Sequence, residues 1–430
     1  MQSLRLSFTA ALAFSVTACG SGGGGTIGLG PSGERTYEEY CNYEGLAPSK
    51  RHTYILIDER TLVPSRTAEE FIANNAAVRN AVQSFSSPSM AVGSAMAEPR
   101  ERVSLFLLPA DGTSASRIFT GCIPALSSEE LADLRSEQSE IRRFATGDVA
   151  RGIEEAQGLF EGLVVAAVRG ASESVAESLD YSDGAIQNAS AFRSLRASGR
   201  LVNTEEGLPR VVLISQLNKT TLPEESDERA MRRSAIEAAR ESRIDFGLSD
   251  VFVIQPSGAD DEQQAFVETF FLAQNGRLSY WGDQRPPTVD AAPENILRFI
   301  GTADYPSGPE TIQVRIATDP NGRLVQSWLV LRGQPDRATP LTGQAVCSSA
   351  TSCDIRSDDG AFAQAWSLSP GGDPEFVNSM PFGGLRDFSI TASDSALSGK
   401  IYDPAVNQIG SNPDKKAIEI EGTQQDNAVF

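Results

Sequence analysis

Apolar and polar residues follow two regular patterns over the first two thirds of the chain. Mostly apolar runs typical of buried strands occur at 52–58, 102–108, 210–214 and 250–255. The residues between these runs place apolar side chains at helical spacing, as Phe71, Val78, Val82 and Phe85 do. Strands that alternate with helices of this length predict an α/β fold with a doubly wound, mostly parallel sheet.

One pair of strands should break the parallel arrangement. The runs at 102–108 and 117–120 are joined by a short connection that contains Asp111-Gly112. This connection is too short for a crossover helix, so the two strands are predicted to pair antiparallel. We expect the α/β domain to cover residues 51–285.

The pattern changes after Pro286-Pro287, where short β patterns replace the helices. Segments 311–317 and 324–331 flank Asp319-Pro320-Asn321-Gly322, which is a strong hairpin signal. We therefore predict a smaller all-β, sandwich-like C-terminal domain over residues 294–422.

The N-terminus has the pattern of a targeting segment. Arg5 precedes a short apolar run at 6–14, and about 20 such residues are needed to span a bilayer. Val16-Thr17-Ala18-Cys19 resembles the lipobox of bacterial lipoproteins. This resemblance implies that residues 1–18 are a signal peptide and that Cys19 carries the lipid (diacylglycerol, with palmitate as a typical acyl chain). It also implies a cell-envelope location; Gly20 in place of Asp favours the outer membrane. An ordinary secretory signal with a chance cysteine is the alternative.

Glycine and serine dominate residues 20–30, which have no capacity to bury a core. We predict that residues 19–50 form a flexible tether between the lipid on Cys19 and the α/β domain. A coil from Cys19 to Cys41 would span roughly 25 Å.

Composition narrows the classes of partner. An apolar content of 40% with 22% charged residues is ordinary for a globular protein. The 37 basic and 57 acidic residues give a net charge of −20, which argues against nucleic acid as a partner. The arginine-rich helix predicted at 227–243 also contains glutamates, so we interpret it as a solvated face with ion pairs four residues apart.

Four cysteines remain beyond Cys19: Cys41, Cys122, Cys347 and Cys353. Four cysteines allow three disulfide pairings. Proximity in sequence favours Cys347–Cys353 and therefore Cys41–Cys122. A zinc site is the alternative, but the spacings contain no CxxC pair and the chain has one histidine.

No catalytic motif is evident in the mature chain, so we expect a protein that is not an enzyme. A serine hydrolase would need a base, and the one histidine, His52, is expected to be a partly buried structural residue at a strand start. Residues 180–184 and 354–360 faintly resemble calcium loops but have no closing glutamate at loop position twelve.

The order of predicted elements over residues 50–285 resembles the von Willebrand factor A domain. That family carries a metal-ion-dependent adhesion site built from Asp-x-Ser-x-Ser, a Thr and a further Asp, which together hold Mg²⁺. Here the first motif reads Asp58-Glu59-Arg60-Thr61-Leu62, and Thr146 could match the Thr. The fourth strand ends in 214–218 (ISQLN) without the Asp. The resemblance therefore implies a degenerate site, with Asp58 paired to Arg60 instead of an ion; weak Mg²⁺ binding there is the alternative.

These observations lead to one expectation about function. We expect a membrane-tethered, non-enzymatic module that binds another envelope protein through the von Willebrand A-like domain. The alternative is a surface receptor that binds a ligand or glycan through the C-terminal β domain. Neither hypothesis requires a cofactor.

Overall fold

The structure is a computed structural model. It describes residues 27–29, 34–91, 96–137, 149–178, 191–199, 201–202, 207–217, 228–256, 263–283, 286, 292–332, 337–349, 352–357, 388–401 and 417–425. Two β sheets organise these residues, one mixed and flanked by helices, the other purely antiparallel.

The first sheet and its helices occupy the N-terminal two thirds of the chain. Its strands are β1 (Ile27–Leu29), β2 (Arg35–Tyr37), β3 (Arg51–Asp58), β4 (Arg102–Leu108), β5 (Ser116–Cys122), β6 (Leu208–Ile214), β7 (Ser249–Ile254) and β8 (Gly276–Gly282). The α-helices are α1 (Ala68–Asn74), α2 (Ala76–Ser86), α3 (Pro88–Ala91), α4 (Ser128–Glu137), α5 (Val149–Ser178), α6 (Ala191–Ser198), α7 (Glu228–Ser242) and α8 (Gln264–Leu272). A 3-10 segment, Glu39–Gly45, lies between β2 and β3.

The strand order is β1-β2-β5-β4-β3-β6-β7-β8. The pairs β1/β2 and β4/β5 are antiparallel, and the other neighbours are parallel. The mostly parallel α/β sheet and the antiparallel β4/β5 pair predicted from the sequence are therefore confirmed. The chain passes from β3 to β4 on one side and later returns to β6 on the other, so the direction of strand addition changes at β3.

The side chains of β3 alternate between the two faces of this sheet, and both sets are buried, which explains why helices cover both faces. Every residue of β3 is buried. Ile55 and Ile57 belong to the core on one face, whereas Tyr54 and Leu56 belong to the core on the other. The helix after β3 begins at a capping box, in which the backbone N–H of Glu70 donates to the Thr67 side chain and the backbone N–H of Thr67 donates to the Glu70 side chain.

The segment before β3 is part of the folded body, so the tether prediction for residues 19–50 is wrong over residues 34–50. β2 lies parallel to β5, and Tyr37 and Tyr40 are buried in the core with 1% and 2% of their surface exposed. The Cys41–Cys122 disulfide joins this segment to the end of β5, which confirms the predicted pairing. Tyr37 and Tyr40, with Tyr43 packed against the same core, bury apolar surface that stabilises this segment, and the preceding glycine run drew attention away from them.

The arginine-rich helix α7 packs part of its polar face against helix α8 and does not leave that whole face in solvent. Arg232 is buried, and its Nη1 donates to Glu268 Oε2 and Thr269 Oγ1 of α8, at 3.0 Å each. The interpretation of this arginine as a surface residue paired within its own helix is therefore wrong. Helical spacing identified the helix but could not show that its polar face meets another helix.

The second sheet contains nine antiparallel strands in the described part of the chain. In chain order they are β9 (Asn295–Tyr305), β10 (Gly308–Thr318), β11 (Ser327–Leu331), β12 (Arg337–Leu341), β13 (Gly343–Ser349), β14 (Ser352–Ser357), β15 (Phe388–Ser393), β16 (Ala396–Ile401) and β17 (Ile418–Gln424). Their spatial order is β12-β11-β10-β9-β17-β16-β15-β14-β13.

This sheet is continuous, so the expectation of a sandwich of two sheets is wrong for the described strands. One core cluster includes residues from all nine strands. The two outermost strands, β12 and β13, are consecutive in sequence, and the β10–β11 turn also contacts β13 through the Arg323–Gln344 bridge. The sheet therefore curls around its own core. Alternating apolar residues predict a single buried face for each strand, but they do not distinguish two packed sheets from one curled sheet.

The two sheets contact each other at the amino-terminal ends of β6 and β7. Leu248 and Leu272 pack with Trp328 and Val330 of β11. The buried Arg315 donates from Nη2 to the carbonyl of Leu248 at 2.6 Å. Similarly, Gln326 Nε2 donates to the carbonyl of Pro209 at 2.6 Å. The second sheet therefore sits at the edge of the first sheet opposite to Asp58.

Candidate functional site

Three buried polar residues lie at the carboxyl ends of three neighbouring parallel strands of the first sheet. Asp58 ends β3, Ser215 follows β6 and Gln255 follows β7. Ile57 pairs with Ile214, and Ile214 pairs with Ile254, so these three polar residues form one row. The row includes the point at which strand order reverses, where open α/β sheets most often bind ligands.

Within the described part of the chain, four hydrogen bonds hold the Asp58 carboxylate. Its Oδ1 accepts from the backbone N–H of Arg60 (3.1 Å) and from Arg60 Nε (3.0 Å). Its Oδ2 accepts from Arg60 Nη2 (2.7 Å) and from Ser215 Oγ (2.6 Å). Because a carboxylate has about four acceptor positions, these donors fill them. The backbone turn is fixed as well, since Thr61 Oγ1 donates to the Asp58 carbonyl at 2.7 Å.

The ion pair compensates the burial of the carboxylate. Asp58 is 1% exposed, and the Arg60 side chain is 18% exposed. A bidentate guanidinium supplies both opposite charge and hydrogen bonds to a carboxylate removed from water. The pairing of Arg60 with Asp58 predicted from the sequence is thus confirmed by the contacts.

These residues do not fit a Mg²⁺ site. A magnesium ion needs near-octahedral oxygen ligands at about 2.0–2.1 Å, and the two Asp58 oxygens are already occupied by nitrogen donors and a hydroxyl. Arg60 would have to leave before an ion could bind Asp58. Thr146 and Asn218, the other positions relevant to the metal hypothesis, lie outside the described residues, as does Cys19.

Ser215 is the member of the site that the sequence analysis missed. It stands where the family pattern led us to look for an aspartate, and the absence of that aspartate drew attention away from it. A signal was present, because Ser215 directly follows the last apolar residue of β6, as Asp58 follows the apolar run of β3. Its hydroxyl donates to the carboxylate, which neither adds charge nor opens a metal position.

His52 lies at the opposite end of β3 from Asp58. It is 2% exposed, so the expectation of partial burial was wrong. The Nε2 of its ring lies 3.0 Å from Ser104 Oγ. Its ring stacks on Tyr54, with centroids 4.0 Å apart. Burial, reinforced by the charges of Arg102 and Arg117, lowers the pKa of His52 to about 3. A buried imidazole about 20 Å along the strand from Asp58 cannot act on a ligand at the carboxyl edge.

A second group of charged side chains is buried near the amino edge of the first sheet. Glu101 accepts from Arg51 Nε and Nη2 at 3.2 Å each, from Arg210 Nη2 at 2.8 Å and from the Thr53 hydroxyl. The Arg210 guanidinium also lies over the Phe85 ring, 5.1 Å from its centroid. Burial, together with the nearby charge of Arg51, lowers the pKa of Arg210 to about 9. Because Arg51, Glu101 and Arg210 are 0–3% exposed, this group has a structural role.

One further group brings metal-ligand atom types together among the described residues. Glu38, Cys41 and Cys122 place such atoms within 4.8 Å of one another. Both cysteines are bonded in a disulfide, so neither provides the thiolate that a zinc or iron site needs. The zinc alternative for these cysteines therefore does not apply to this pair.

Comparisons with protein-family models, with curated protein sequences and with solved structures give no match. In the described part of the chain, no helix is both long and apolar enough to cross a membrane.

Proposed function

We propose that this chain is a lipid-anchored envelope lipoprotein that acts as a non-enzymatic protein-binding module through a von Willebrand A-like domain. The lipid on Cys19 would hold it at the membrane, with the outer membrane as the expected location. The observation that carries the proposal is the Asp58–Arg60–Ser215 group at the strand-order reversal. This group has the position of a ligand site, but the chemistry of a rigid, metal-independent contact surface.

Arg60 is the residue through which this surface would bind a partner. A guanidinium has five N–H donors, and Asp58 uses two of them. Among the described residues, no acceptor contacts the other three donors. Because Arg60 is held by Asp58 and remains 18% exposed, it would lose little side-chain entropy on binding. Arginines fixed in this way are frequent at the energetic centre of protein interfaces.

The chemistry of the partner follows from these donors. Carbonyl and carboxylate oxygens accept bidentate hydrogen bonds from arginine, so the partner should present such an oxygen to Arg60. The net charge of −20 opposes a strongly acidic partner, which favours one or a few carboxylates or backbone carbonyls within a surface of low net charge. Another envelope protein on the same membrane could meet these requirements.

The proposal is tested by capture of crosslinked partners from envelopes that contain the full chain. The Asp58→Asn/Arg60→Gln double variant removes both charges together and so avoids a buried, unpaired carboxylate. We expect it to reduce capture of a specific partner at least tenfold, while its circular dichroism spectrum stays as in the wild type. Arg151→Gln is the matched control, because that arginine is 78% exposed and lies on α5. Capture that survives the double variant, or that a chelator abolishes, would contradict the proposal.

The anchor is tested separately by Cys19→Ser. We expect this variant to leave the membrane fraction, with the Asp58–Arg60 surface unchanged. If it still sediments with membranes while the wild-type chain carries no lipid by mass spectrometry, the lipoprotein part of the proposal is wrong. The partner-binding part can then still be judged from the double variant.

A further inference from the structure

The Cys347–Cys353 disulfide lies at the open edge of the second sheet. It joins β13, the outermost strand, to β14, and the two cysteines face each other directly in the register. They are six positions apart in sequence, whereas Cys41 and Cys122 are 81 positions apart. The two disulfides therefore differ in where they lie and in how much chain each one closes.

The two pairs also differ in how easily a reagent can reach them. Cys347 is exposed, and the preceding residue, Val346, exposes 72% of its surface. Cys122 is 0% exposed in the core of the first sheet, and Cys41 packs against that core. Exchange requires an attacking thiolate to reach a disulfide sulfur, so the core shields one pair much more than the other.

Backbone spacing adds a second difference. The Cα atoms of Cys347 and Cys353 are 3.9 Å apart, below the 4.4–6.8 Å usual for disulfides. The Cα atoms of Cys41 and Cys122 are 5.1 Å apart, within that range. Directly opposed residues of an antiparallel pair usually lie about 4.5–5.5 Å apart, so the Cys347–Cys353 bond holds the two backbones closer than the strand pairing alone requires.

We propose that Cys347–Cys353 is a thiol–disulfide exchange site for a dithiol reductant, and that Cys41–Cys122 is the inert structural pair. A reagent thiolate attacks the Cys347 sulfur, forming a mixed disulfide as the Cys347–Cys353 bond breaks. Cys353 leaves as a thiolate and takes up a proton. The second reagent thiol loses its proton and attacks the reagent sulfur of the mixed disulfide, which releases Cys347 as a thiolate that is then protonated. The protein gains two electrons and two protons, and the reagent becomes a disulfide.

The structure limits what reduction would change. The start of β13 is held independently of the disulfide, because Leu324 N–H donates to Gly343 O at 2.9 Å and Ala345 N–H donates to Gly322 O at 2.7 Å. Cys347 is not part of the core cluster of the second sheet. Reduction should therefore loosen the strand beyond Ala345 and leave the core packed, as a reversible site requires.

The experiment uses the full oxidised chain and dithiothreitol as the dithiol. Samples from a concentration series are quenched, alkylated and digested, and mass spectrometry measures alkylation at each of the four cysteines. We expect half-reduction of Cys347–Cys353 at a dithiothreitol concentration at least tenfold lower than for Cys41–Cys122. In denaturant this difference should shrink below threefold, because it depends on the fold.

Hydrogen exchange distinguishes a local site from a structural one. At the concentration that reduces only Cys347–Cys353, amides in β13 should exchange faster, while those of β9 and β10 should keep their protection. The proposal is overturned if Cys41–Cys122 is reduced first or together with the other pair. It is also overturned if all strands of the second sheet lose protection, because the pair would then be essential to the fold.

Discussion

His52 provides a direct test of the buried chemistry of the first sheet, because it is the one histidine in the chain. Its pKa is lowered to about 3 in the folded protein, mainly by burial. The unfolded chain has an ordinary histidine with a pKa of about 6.5. Between these values the unfolded state binds a proton that the folded state does not, so stability falls as the pH falls. The stability contributed by the neutral imidazole is fully present above about pH 6.5.

The magnitude follows from this difference in proton binding. Between pH 7 and pH 5.5 the unfolded state gains about 1.3 kcal/mol from protonation of His52, and at pH 5 about 2 kcal/mol. Carboxyl groups contribute mainly below this window. Glu130, for example, has its pKa lowered to about 2, chiefly by the hydrogen bonds from Arg100, and its contribution is lost at lower pH. The difference between the wild type and a variant without the histidine over pH 7 to 5.5 therefore isolates His52.

The assay is urea unfolding followed by far-ultraviolet circular dichroism at pH 7.0 and pH 5.5. We compare the wild type with His52→Gln, which can keep a hydrogen bond to Ser104 but does not titrate. The wild type should lose about 1.3 kcal/mol of unfolding free energy between the two pH values, with an unchanged slope on urea, and the variant should lose almost none. An equal loss in both proteins, or a wild type insensitive to pH over this range, would refute the assignment of a buried neutral imidazole.

Two further substitutions test the internal packing of each sheet, Glu101→Gln in the first and Gly301→Ala in the second. Glu101→Gln leaves two buried guanidiniums without their shared carboxylate, so the free energy of unfolding should fall by about 3–5 kcal/mol, whereas Glu155→Gln in an exposed pair should change it by about 0.5 kcal/mol or less. A side chain at Gly301 would place Cβ in steric overlap with the Glu421 carbonyl oxygen, so Gly301→Ala should cost about 3 kcal/mol in thermal or urea unfolding. Gly158→Ala is the control, because Cβ meets open space on α5 and the helix should gain about 0.5–1 kcal/mol; equal effects at the two glycines would show that the strand contact is wrong.

The sequence was sufficient to predict the main parts of the first sheet. The apolar run at 52–58 became the buried strand β3, and the short connection after β4 produced the antiparallel pair. The pairing of Arg60 with Asp58 was implied by the resemblance, which places Arg60 where the family has a serine of its metal site, and the contacts confirm the pairing. These predictions succeeded because each depends on neighbouring residues.

The features that could not be predicted from the sequence depend on residues far apart in the chain. Arg315 and Gln326 have the character of surface residues in sequence, yet both are buried where they bond to carbonyls of the first sheet. The curl of the second sheet depends on contacts between β13 and the β10–β11 turn, which strand periodicity does not encode. Ser215 joins Asp58 because β6 and β3 are neighbours, although 157 positions separate the two residues.

The Cys41–Cys122 disulfide sets how a pull on the N-terminus is transmitted to the fold. If Cys19 is held in the membrane, the chain from Cys19 to Ile27 can extend to at most about 28 Å, and tension then acts on the short β1 and β2 strands. Peeling those strands would lengthen the reach to at most about 75 Å, where the load arrives at Cys41. From there the covalent bond passes the force directly to the end of β5 in the interior of the sheet. Load on the N-terminus would thus remove Tyr37 and Tyr40 from the core before it reaches the disulfide, while the Asp58–Arg60 surface keeps its shape.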